Sequence, residues 1–103
     1  MTPDAFRLLI VALPGVREQM NLGVHEFRLK DRTFATLGSP EAGWAMIKLA
    51  AADQTRFMAR SSALSPEPGG RGTRGATRLK LSALNEDLVA AILKTALRRA
   101  SGS

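Results

Sequence analysis

One histidine, nine carboxylates, fifteen basic side chains and no cysteine bound the chemistry open to this chain of 103 residues. The lack of cysteine rules out disulfides, thiolate nucleophiles and thiolate metal ligands. His25 would need a nucleophile and an orienting acid to form a triad, or further ligands at matching spacing to hold a metal. The sequence around it shows neither, and it shares a strand face with Phe27 and Leu29, so it reads as a structural residue. The acids, from Asp4 to Asp87, fall at helix starts and turns rather than paired on one strand face. No catalytic residue, metal site or cofactor is therefore expected. The stretch GGRGTRG is glycine-rich but lacks the Gly-Lys-Ser/Thr of a phosphate-gripping loop, and it precedes a strand. Its Arg71 and Arg74 meet phosphates from a mobile hairpin tip, or the loop is simply flexible and solvated. Trp44 stacks on a base or partner, or packs into the sheet. Lys48 stands in an otherwise apolar strand, on the face of Trp44 and Met46. It is either a snorkelling lysine or a cation set on a concave sheet face.

The elements that must position these groups are legible as patterns. Val24 to Leu49 reads as three short strands joined by tight turns, with Phe27 and Leu29 alternating with Glu26, Arg28 and Lys30. Thr2, Pro3 and Asp4 start a helix whose Phe6, Leu9, Ile10 and Leu13 make one apolar stripe, and Pro14 and Gly15 end it. Val16 to Gly23 reads as a connector with Met20 and Leu22 tucked under the first strand. Ala50 to Arg60 favours a short helix with Phe57 and Met58 inward, and Ser61 to Ser65 is extended, with Pro66 and Pro68 forbidding an interior strand beyond it. Thr77, Leu79 and Leu81 alternate with Arg78, Lys80 and Ser82, the cleanest amphipathic strand in the chain. Asn85 caps a final helix, Leu84 staples onto Val89, and Lys94, Arg98 and Arg99 gather toward its end.

Charge narrows the partners. Residues 1–55 hold six basic and six acidic side chains, whereas residues 56–103 hold nine basic against three acidic, so the net +6 lies wholly in the second half. That asymmetry suits an anionic partner such as nucleic acid. Arg71, Arg74, Arg78 and Lys80 would form a basic wing. The longest apolar run, Leu8 to Leu13, is far short of the roughly 20 residues that span a bilayer. One soluble cytoplasmic domain over residues 1–103, without membrane attachment, is the expectation.

LPGV (Leu13 to Val16), HEFRLKDRTFATL (His25 to Leu37), MIKL (Met46 to Leu49) and GATRLKLSAL (Gly75 to Leu84) together resemble the MmcQ/YjbR family of small bacterial proteins. Lys48 matches the family's characteristic lysine; Ala76 stands where members often carry a tryptophan. The resemblance implies an α+β, two-layer domain of CyaY-like, double-wing type. In it a curved antiparallel sheet packs on the N- and C-terminal helices, and members are commonly labelled DNA-binding.

Two functions follow as expectations. The first is a non-catalytic DNA-binding protein whose Lys48, Arg71, Arg74, Arg78 and Lys80 contact phosphates without sequence readout, acting as a monomer or weak homodimer. The second is a small-molecule or protein-binding module using the exposed sheet face around Trp44 and Lys48. Iron handling by analogy with frataxin would need an acidic ridge on the first helix, which offers Asp4 beside Arg7.

Overall fold

Six strands form one antiparallel sheet: β1 (Val16–Asn21), β2 (Val24–Leu29), β3 (Arg32–Leu37), β4 (Trp44–Lys48), β5 (Leu64–Pro66) and β6 (Ala76–Lys80). Their order is β1-β2-β3-β4-β6-β5. Four helices, α1 (Pro3–Val11), α2 (Ala51–Met58), α3 (Gly70–Thr73) and α4 (Glu86–Ala100), complete a two-layer α+β domain. This computed structural model describes residues 1–102.

The meander β2-β3-β4 follows the period-two pattern, and its inward residues Phe27, Ala35, Leu37, Ala45 and Ile47 are all buried. Phe27 pairs with Ala35 while Arg28 pairs with Thr33, so Phe34 is the extra residue of a bulge. Phe34 and Ala35 are both buried as a result, and the ladder gains twist there. Phe6 and Ile10 of α1, Phe57 of α2 and Val89, Ile92 and Leu93 of α4 cover this face. Each fully buried side chain of this size contributes about 1.5–3 kcal/mol of transfer free energy, which is why the helices stay on the sheet.

Local signals set the helix ends. Thr2 Oγ1 accepts the Ala5 N–H at 3.1 Å, and Asn85 Oδ1 accepts the Leu88 N–H at 2.9 Å. Leu84 and Val89 flank the Asn85 cap and are both buried, as a hydrophobic staple requires.

The segment read as a connector is instead β1. Leu22 (φ +53) and Gly23 (φ +81) make a two-residue turn with both angles positive, and Val16 to Asn21 pair residue by residue with β2. Met20 is 58% exposed and Leu22 97%, so neither tucks beneath the sheet. VREQMN lacks an apolar alternation because, as an edge strand, it is held by its backbone ladder rather than by a buried face.

The glycine-rich loop is also more ordered than a mobile tip. It connects β5 to β6, and its centre winds into the single helical turn α3. Gly72 is buried, and a Cβ there would stand 1.7 Å from the Glu67 carbonyl oxygen. Only glycine fits so close to another backbone. Pro66 sits in β5 at the sheet edge, where its missing N–H leaves no ladder bond unmade.

Candidate nucleic-acid interface

Lys48 is the last residue of β4, on the sheet face that the helices leave open, and it is half-buried. Strand pairing places Ala76 of β6 beside it, and the small alanine leaves a crevice of about 210 Å³ over the ammonium. Arg71 and Arg74 reach its rim from the α3 turn, and Arg99 reaches it from the last turn of α4. Arg32 at the start of β3 lines an adjoining hollow with Lys48 and Arg99, where Asp31 is the one carboxylate. Burial, reinforced by the charges of Arg71, Arg99 and Arg32, holds the Lys48 ammonium below the ordinary lysine pKa. Among the described residues, none of Lys48, Arg71, Arg74, Arg99 and Arg32 makes a salt bridge to a carboxylate.

One buried side chain fixes the loop that carries two of these cations. Gln54 of α2 points its Nε2 at the Gly72 carbonyl (3.0 Å), the Ala76 carbonyl (3.1 Å) and Thr77 Oγ1 (3.1 Å). Thr77 Oγ1 in turn donates to the Gly75 carbonyl at 2.9 Å. Buried polar groups must find partners, so this network ties α2, the α3 turn and β6 into one geometry and sets where Arg71 and Arg74 start. Sequence periodicity carries no sign of it: Gln54 reads as an ordinary polar helix residue.

Of the expected wing, Arg71 and Arg74 gather at the Lys48 crevice, while Arg78 and Lys80 lie farther along β6 on the same open face. Lys48, Arg71 and Arg74 share the crevice. Arg78 lies mid-sheet between Met46 and Ser65, its Nη2 3.3 Å from Glu67 Oε1. Lys80 is exposed at the far end of β6, where it pairs with Trp44. Trp44 is half-buried at the opposite end of β4 from Lys48, about 13 Å along the strand at the usual rise. Trp44 and Lys48 thus share the open face but stand at its two ends. Arg99, contributed from the last helix, is the member that sequence spacing could not supply. A separate groove of about 560 Å³ between α2 and α4 continues the basic surface through Arg60, Lys94, Arg98 and the shared Arg99.

A second polar cluster joins α1 to the β1-β2 hairpin. Arg7 Nε and Nη2 each donate to a Glu18 oxygen at 2.7 Å, and His25 Nδ1 lies 2.6 Å from Glu18 Oε2. The His25 ring stacks parallel to Phe27, centroids 6.3 Å apart. His25 thus has an acid partner that the sequence hid, because β1 read as a connector. The hollow beside it, lined by Asp4, Arg7, Leu37 and glycines, presents no hydroxyl or amine nucleophile. Hydrogen bonds from Arg7, against the opposing effect of burial and with help from His25, hold the Glu18 carboxyl below its ordinary pKa. A depressed carboxyl stabilises the fold above its unfolded pKa and loses that contribution as pH falls through the folded one. The wild-type melting temperature is therefore expected to exceed that of Glu18→Gln by roughly 2–5 °C at pH 7, the gap narrowing progressively as pH falls below the ordinary carboxylate range. Parallel thermal melts across pH check this, and a gap that stays constant down to pH 3 would contradict it.

No group of three His, Cys, Asp or Glu among the described residues is placed to hold a metal ion. No helix among them is long and apolar enough to cross a membrane. Compared with models of protein families and with curated proteins, the chain matches none.

Proposed function

We propose that this protein is a non-catalytic, cytoplasmic DNA-binding module of the MmcQ/YjbR kind, a monomer or weak homodimer that grips phosphates at the Lys48 crevice. The observation that carries this reading is the convergence of Lys48, Arg71, Arg74 and Arg99 on one recess with no carboxylate paired to any of them among the described residues. Like charges crowded at a partly desolvated site repel one another, and a bound anion relieves that repulsion. Phosphate oxygens match the planar fork of arginine, and lysine supplies a point charge beside it. Base readout has no support here, because the helical turns at the crevice bring it only arginines and no aromatic side chain lines it.

Titration of a short duplex across ionic strength tests it. Four phosphate contacts give a slope of log affinity against log salt near about −3.6, and losing one contact flattens it by about 0.9. Arg71→Ala should show that flattening, whereas Lys80→Ala should not. No retardation at low salt would end the proposal. A second reading, a small-molecule site on the open sheet face, draws on a concavity of about 430 Å³ lined in part by Thr33, Thr36, Met46 and Lys48. Its test is a ligand-dependent rise in melting temperature that follows mass action.

A further inference from the structure

The crevice and the open-face concavity share Lys48 and Arg71. Their sizes differ in a way that sorts a ligand's parts. At about 210 Å³ the crevice is below the range of pockets that take a whole small molecule, while the neighbouring hollow, at about 430 Å³, lies within it. The crevice is lined by four cations and two apolar residues, Leu49 and Ala76, with no neutral polar side chain. The hollow is lined by the neutral polar Asn21, Thr33, Thr36 and Ser39 around Met46, and also by two carboxylates, Glu26 and Glu67, acceptors that suit sugar hydroxyls and base amino groups rather than a phosphate. A charged head and a polar, flat body are the two halves of a nucleotide.

Charge decides which phosphate. An internal phosphodiester brings a single negative charge, whereas a phosphomonoester carries about −1.5 to −2 near neutral pH. Four cations around one recess are better matched by the second. Resting on the phosphate-binding reading above, we infer that the crevice takes a terminal phosphomonoester, with its nucleoside over the concave sheet face beside Met46. The same chemistry comes from the phosphorylated end of a strand or from a free mononucleotide.

Single-stranded oligonucleotides that differ only in a 5′-phosphate, a 3′-phosphate or neither separate these cases by fluorescence anisotropy. One phosphorylated end should bind about tenfold tighter than the hydroxyl form at pH 7.5, the scale of one added charge-assisted contact. The preference should shrink below about pH 6, where the monoester gains a proton. It should vanish in Lys48→Ala, with Lys94→Ala in the α2-α4 groove changing all forms alike. Equal binding of all three oligonucleotides by the wild type overturns the inference and leaves the phosphate-contact reading standing. If no oligonucleotide binds but a nucleoside monophosphate raises the melting temperature and its nucleoside does not, the free nucleotide is the ligand and the DNA reading falls. Failure of both assays removes both.

Discussion

Replacing Lys48, Arg71 and Arg99 together by alanine is expected to lower DNA affinity about 100- to 1,000-fold at low salt while the fold persists. Each charge-assisted phosphate contact at a partly exposed site is worth about 0.9–1.4 kcal/mol, and three of them give that range. The salt slope should flatten by about 2.7 at the same time, because three contacts no longer release counterions. Stability should not suffer. None of the three makes a salt bridge among the described residues, and their mutual repulsion is removed with them. Arg78→Gln supplies the contrast, since it breaks the bond to Glu67 without touching the crevice. Retardation assays with parallel melts decide the matter: an unchanged slope in the triple variant places the phosphates elsewhere.

Gly75→Ala is expected to cost more than about 4 kcal/mol, enough to unfold a domain of ordinary stability. A Cβ at Gly75 would lie 1.8 Å from the Leu49 carbonyl oxygen, and its φ of +116 is one that side-chain-bearing residues rarely adopt. The Leu49 N–H donates to the Gly75 carbonyl at 3.1 Å, so the backbones cannot part without losing the end of the β4-β6 ladder. Gly43→Ala isolates the conformational part of the penalty. Its φ is also positive, at +87, but nothing lies within 4 Å of the added methyl, and a cost of about 1 kcal/mol is expected. Urea titration of the two variants separates clash from backbone preference, and equal costs would show that the close approach is unimportant.

The elements that could be read from sequence were those whose signal is local. Alternation marks β2 and β6, caps mark the ends of α1 and α4, and Leu84 with Val89 marks the staple. β1 escaped because an edge strand needs no buried face; its hairpin turn at Leu22 and Gly23 was the remaining clue. The candidate site divides the same way. Lys48 stood out as a cation within an apolar run, and Arg71 and Arg74 as charges in a glycine-rich loop. Arg99 and Arg32 lie about fifty and sixteen positions from Lys48 in the chain and reach it only through the packing of α4 and the curl of β3. By sequence Arg78 belongs with the free cations, because nothing local announces that Glu67 folds back beside it. Gln54 shows the same limit, since its three partners come from residues 72 to 77.

The surplus residue at Phe34 carries a consequence for how this chain tolerates change. Upstream and downstream of it, β3 runs on opposite alternation phases, so that Phe34 looks into the helix layer while Thr33 looks out toward Lys48. Deleting Phe34 would restore an even ladder with Thr33 still facing out and Ala35 still facing in, and would remove the benzyl group that the bulge adds to the helix layer. The extra residue thus lets one strand send two successive side chains into the core without disturbing the outward positions on either side of it.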